Sequence, residues 1–423
     1  MQKTIKYIGL ILLLAFILRI YAVADENIWY DESYTLLNLQ PTLGETIDES
    51  VKYEPPIYYS MLFYWTEWFG KSEFSLRFPS VLFGVLSIFF IYLIVRRYSE
   101  DIGLLSAVIM SISPLDIYYS QEARMYSLFI CMTLISFYFF MKFIEKERGI
   151  DYTFYLLFTM LSIYTSILAF ISVLIQLIIL IIYGKKWFML TTTSMIGISL
   201  LGSGILINSI YLNLTQATYM FLERYSLPNY LWFFIISMFI ILPFVIYHLL
   251  KNLKDVVIKP IYTIFVLTSM FIVELCLPKS FFLIRYTIFL YFIFYIILSI
   301  NLLKYRYLFL VLLCFNLIIL SNYYIVDNKQ DWKGVTDFIE KNSNPDEIIL
   351  FGGGKYSFDY YYKGNLTTIE LISPEEYKVD KIKNIPTKKV WFITCREWLS
   401  RPYIDYLNIT FEKRIGGVYI GFA

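Results

Sequence analysis

Two adjacent carboxylates, Asp31 and Glu32, stand in the segment Trp29-Tyr30-Asp31-Glu32-Ser33-Tyr34, just past the first apolar run. A carboxylate at a water–lipid boundary is partly desolvated, which raises its proton affinity and makes it a better general base. The same pair could equally be a solvated cap on a short interfacial helix. Further along, Glu54 precedes Pro55-Pro56-Ile57-Tyr58-Tyr59, where proline suits the first turn of a helix and an acid favours its N-terminal dipole. Glu73 and Arg77 are spaced to pair across one helical turn. Asp116, Glu122 and Arg124 cluster between two apolar runs, and Arg285 opens a later one. Charges so close to lipid line a cavity, pair with one another or reach to headgroups. A guanidinium fork is also suited to phosphate.

These residues need elements to hold them, and the composition says which kind. The chain has 423 residues, 58% hydrophobic and 17% charged, with a mean hydropathy of +0.60. Soluble domains carry about a quarter charged residues, so a bilayer is the expected solvent. A net charge of +2 leaves no nucleic-acid footprint. His248 is the only histidine, which excludes a multi-histidine metal site, and the four cysteines form no CxxC spacing.

Apolar runs of membrane-spanning length predict about eleven helices, the first at residues 6–24 and the next at 79–97, 102–119 and 126–144. The long run 152–183 reads as two short helices split near residue 167. Further runs fall at 187–208, 230–250, 260–277, 283–303 and 306–325. Lys/Arg-rich short connections on alternate sides place the N-terminus in the cytoplasm. The segment 25–78, with interfacial helices, and the tail then lie outside the cell membrane. Three Asn-x-Thr tripeptides, at Asn213, Asn365 and Asn408, fall on that outer side.

Residues 326–423 hold 14 Lys/Arg and 14 Asp/Glu, far denser than the chain before them. The expectation is a transmembrane domain over 1–325 and a soluble extracytoplasmic α/β domain over 326–423. In the latter, 331–341 has helical spacing, and 347–351, 389–393 and 417–421 read as strands. Gly352-Gly353-Gly354 lacks the pattern of a nucleotide loop and reads as a strand-to-helix turn.

Five motifs together resemble the GT-C membrane glycosyltransferases. They are Leu18-Arg19-Ile20; Trp29-x-Asp31-Glu32; Glu54-Pro55-Pro56-Ile57-Tyr58-Tyr59; Glu73-x-x-Leu76-Arg77-x-Pro79-Ser80; and Tyr119-Ser120-Gln121-Glu122-Ala123-Arg124-Met125-Tyr126. The nearest type is the protein O-mannosyltransferase-like and aminoarabinose-transferase-like group. The resemblance is dense over residues 18–126 and continues through Arg285-Tyr286. It implies a polytopic α-helical membrane protein of GT-C type. The implied reaction is inverting transfer of a sugar from a polyprenyl- or dolichyl-phosphate donor to a protein, lipid or glycan acceptor. Asp31 is implied as the base. Arg124, Arg285, Lys52 and Arg224 are the candidates for the donor phosphate. Glu32, Glu54, Asp116 and Glu122 are the candidates for the acceptor or for a divalent cation such as Mg²⁺ or Mn²⁺. Many relatives have His where this chain has Glu54, and Thr-His where it has Thr165-Ser166. A transporter or flippase of a lipid-linked or small polar substrate is the alternative. Such proteins place polar groups at the midplane, whereas here the acids gather at one interface. A non-catalytic membrane scaffold is a third reading, and it leaves Asp31 and Glu54 unused.

Overall fold

The structure is a computed structural model that describes residues 2–52, 54–183, 191–192, 194, 197, 291–304, 306–326, 329–371, 389–395 and 397–423. It divides into two compact units. One comprises Met1–Tyr21, Gln40–Phe69 and Phe78–Ile319; the other comprises Ala22–Leu39, Gly70–Arg77 and Leu320–Ala423.

The first unit is helical. Helix α1 (Gln2–Ile20) is followed, after a helix α2 (Tyr30–Asn38) that belongs to the second unit, by α3 (Leu43–Ser50) and α4 (Ile57–Phe69). Thr42 and Glu45 close a reciprocal capping box on α3. Helix α5 (Glu73–Val95) and α8 (Tyr126–Lys146) are each long and apolar enough to cross a membrane. Between them the expected single span at 102–119 is broken. Helix α6 (Glu100–Ser111) and α7 (Pro114–Ser120) meet at 61°. Pro114 cannot continue α6, and Ser113 caps the restart by accepting from the Asp116 amide. Arg19, fully buried, donates to the C-terminal end of α6 at the Met110 carbonyl (3.1 Å) and the Ser111 carbonyl (2.9 Å). These are terminal carbonyls that a broken helix must satisfy.

Helix α9 (Gly149–Ile163) ends five residues before α10 (Ala169–Tyr183), so the long apolar run does split where expected. Hydroxyl pairs tie α8 to α9, Thr133 to Ser162 at 2.8 Å and Ser136 to Thr159 at 2.7 Å. Gln176 of α10 donates to Ser136. Helix α11 (Tyr291–Lys304) packs on α6, and α12 (Arg306–Ile325) leads to the tail. The runs expected at 187–208, 230–250 and 260–277 and the start of 283–303 lie outside the described residues, apart from isolated positions.

The second unit is built on a five-stranded sheet of order β2-β1-β3-β5-β4. Strands β1 (Ile348–Phe351), β2 (Thr367–Glu370) and β3 (Val390–Thr394) are parallel. β5 (Val418–Phe422) runs antiparallel to both β3 and β4 (Phe411–Ile415). Alternate residues face opposite layers. Ile349, Phe351, Trp391, Ile393, Val418 and Ile420 pack with Trp332, Val335 and Ile339 of α13 (Trp332–Asn342) and with Phe358 of α14 (Lys355–Tyr361). Leu350, Val390, Phe392 and Tyr419 pack with Tyr403, Ile404 and Leu407 of α15 (Glu397–Leu407).

The glycine run is the strand-to-helix turn that its sequence suggested. Gly354 has φ +95°, and a Cβ there would lie 2.2 Å from the Trp332 ring. Gly354→Ala is therefore expected to cost about 1–3 kcal/mol. Gly44→Ala, in open space on α3, should leave stability equal or higher. Thermal unfolding of the purified full-length protein in detergent checks both.

Candidate functional site

Asp31 and Glu32 occupy the first turn of α2, whose N-cap Trp29 is extended. Acids in that turn favour the helix dipole. The two side chains differ sharply in surroundings. Asp31 is half-buried, whereas Glu32 is 1% exposed. Arg77, also 1% exposed, grips Glu32 through one edge of its fork, Nε to Oε1 at 2.8 Å and Nη2 to Oε2 at 2.7 Å. Its remaining N–H groups reach the carbonyls of Val23 (2.8 Å), Glu26 (2.8 Å) and Asn27 (2.9 Å). All five guanidinium donors are thus spent. Lys329 adds a second cation, 3.5 Å from Glu32 and 3.6 Å from Glu26.

The expected pairing of Glu73 with Arg77 does not occur. Glu73 pairs instead with Lys333 at 2.9 Å and accepts from the Tyr361 hydroxyl at 3.1 Å. Burial pushes the Tyr361 hydroxyl well above its usual range, and the Glu73 carboxylate adds to that. The phenol therefore stays protonated and can donate to Glu73 while accepting from the Ile28 amide.

The other candidates lie in the first unit. Glu54 and Arg124 form an ion pair at 2.5 Å. The buried Tyr59 hydroxyl donates to Glu54 and accepts from Arg124 at 3.1 Å. Burial pushes this phenol up as well. Asp116 forms a separate group: it is buried on α7 and accepts from Tyr295, whose hydroxyl also lies 2.9 Å from Ser113. Glu122 is buried in the turn before Arg124. Lys52 is exposed and pairs locally with Glu49. Arg224 and Arg285 lie outside the described residues.

Glu32, Glu54 and Asp116, three of the residues expected to take a divalent cation, already face other partners. Both Glu32 oxygens face Arg77, Glu54 faces Arg124, and Asp116 faces a phenol. Among the described residues no three of His, Cys, Asp and Glu converge. Sequence reasoning missed Arg77 as the partner of Glu32, and it missed Lys329, Tyr59 and Tyr295. Arg77 carried a readable signal, because a cation opening an apolar run needs an anion.

A family model described as dolichyl-phosphate-mannose-protein mannosyltransferase matches residues 53–208. Comparison with curated proteins finds no match. Among solved structures the chain is similar to ArnT from Cupriavidus metallidurans bound to undecaprenyl phosphate. That likeness has 10% identity and TM-score 0.55, and covers 98% of each chain. A likeness to the Archaeoglobus fulgidus oligosaccharyltransferase in complex with Zn and sulfate has 11% identity and TM-score 0.49. It covers 92% of this chain and 68% of that one. The family model covers somewhat over a third of the chain, and the likeness to ArnT, at 10% identity, shows a common fold.

Removing Arg77 leaves buried Glu32 with only the more distant Lys329, at 3.5 Å. Arg77→Met is expected to cost about 3–5 kcal/mol. Arg77→Met with Glu32→Leu should recover most of that loss. Denaturant unfolding of the detergent-solubilised protein distinguishes the two; a double variant no more stable than the single one would contradict the pairing.

Proposed function

We propose that the protein is an inverting glycosyltransferase. It moves a sugar from a polyprenyl- or dolichyl-phosphate to an acceptor hydroxyl or amine on the extracytoplasmic face of the membrane. The family match and the ArnT-like fold support the reaction class. The ArnT structure was obtained with undecaprenyl phosphate, which supports a lipid-linked donor here. The observation that carries the site assignment is the division within the acidic pair. Glu32 is buried and neutralised by Arg77 and Lys329, whereas its neighbour Asp31 is only half-buried at the start of α2.

In this reading Asp31 takes the proton of the acceptor as its oxygen or nitrogen bonds to the anomeric carbon. The bond from that carbon to the phosphate oxygen breaks on the opposite face. The lipid phosphate leaves with the charge, so it needs a cation rather than an acid. Arg124, with Tyr59 at its side, is the described candidate, and Lys52 is a weaker, exposed one. Arg285 and Arg224 are candidates from sequence alone. Glu54 must share Arg124 with the phosphate or release it, since the two form an ion pair.

Purified protein in liposomes should transfer a radiolabelled sugar from a synthetic polyprenyl-phosphate donor. Asp31→Asn should lower turnover about 10²–10⁴-fold, the usual worth of a general base. Full activity in that variant would remove Asp31 from the role. A reporter fused after Ala423 should read as extracytoplasmic; a cytoplasmic signal would overturn the assigned face.

A further inference from the structure

Helix α2 starts without a cap of its own. Trp29 stands at its N-cap and supplies no side-chain acceptor, yet the amides of a first helical turn need acceptors. The Tyr30 amide, immediately before Asp31, donates instead to Oε1 of Gln330 at 3.0 Å. The same oxygen accepts from the indole of Trp332 at 3.1 Å. That tryptophan is fully buried in the sheet core and seated on Gly354, so Gln330 is anchored to the packed sheet core.

Two more attachments precede it. The Asn27 amide side chain donates to Asp331 at 3.0 Å, and Asp331 also caps α13 through the Gly334 amide at 2.9 Å. The Ile28 amide donates to the Tyr361 hydroxyl at 2.7 Å, and Lys333 lies over the Tyr361 ring at 5.2 Å. Residues 27, 28 and 30 are therefore held by three side chains of the C-terminal segment, all just upstream of Asp31. A tether to a floppy tail would not need an acceptor locked by a core tryptophan.

We propose that Gln330 is a positioning residue for Asp31, supplying from the C-terminal segment the side-chain cap that Trp29 does not, and that the C-terminal domain thereby contributes to the rate of transfer. This rests on the reading of Asp31 as the base. Asp31 follows the capped amide directly, so loss of the cap lets the carboxylate drift. A displacement of about 1 Å at a reacting group can cost about a hundredfold in rate.

The test compares full-length wild type with Gln330→Met, which has no side-chain oxygen, and Gln330→Glu, which keeps an acceptor oxygen at the same place. Transfer from the polyprenyl-phosphate donor and hydrogen exchange over residues 26–38 are both measured. Gln330→Met should lower kcat about tenfold to a hundredfold with KM unchanged. Its exchange should accelerate in 26–38 and remain as in wild type over the sheet, and Gln330→Glu should restore both readouts. Wild-type kcat in Gln330→Met overturns the proposal, as does a loss that Gln330→Glu fails to rescue or that comes with exchange throughout the sheet. Should Asp31→Asn retain full activity, the base reading fails by itself. The exchange data still decide whether Gln330 holds the segment.

Discussion

The buried pair of Arg77 and Glu32 is the constraint on which the candidate site depends. Taking two charges out of water costs several kcal/mol for each ion, and their attraction offsets this only with good geometry and further hydrogen bonds. Here both conditions are met. The fork is bidentate, and the other donors end on the carbonyls of Val23, Glu26 and Asn27. The guanidinium thereby gathers an irregular segment that no helix or strand organises. The pair adds less to stability than to placement: it fixes where residues 23–32 run relative to the start of α5.

That placement divides the labour between two chemically similar neighbours. Under the proposed reading, one carboxylate is committed to cations and takes no part in the chemistry. The next residue back in the chain is left near the surface at a helix N-terminus. The C-terminal domain takes part in the same arrangement through Lys329, Gln330, Asp331 and Tyr361. In this account the domain belongs to the site that it helps to hold.

Much of this was legible in the sequence where the signal was local. The strands β1, β3 and β5 were readable because they are continuous apolar runs buried on both faces. The edge strands β2 and β4 were not, since Thr367–Glu370 and Phe411–Ile415 are partly or largely exposed and carry polar residues. The split of the run 152–183 was evident from its length. The break at Ser113-Pro114 was marked by the proline but hidden inside an apolar run of spanning length. The partners of Glu32 were not legible. Arg77 is 45 positions away and Lys329 is 297, and no periodicity reports contacts at such separation. Glu73 had an apparent partner four residues on, and the local rule pointed to the wrong one.

The central claim is that Asp31 and Glu32 have different tasks, one in chemistry and one in architecture. It is tested most directly by measuring Asp31→Asn and Glu32→Gln side by side, each for sugar transfer and for thermal unfolding. The account predicts that Asp31→Asn loses turnover while its unfolding midpoint falls much less than that of Glu32→Gln. It predicts that Glu32→Gln lowers the midpoint, because Arg77 keeps its charge without an anion. Full turnover in Asp31→Asn, or a wild-type midpoint in Glu32→Gln, would contradict it.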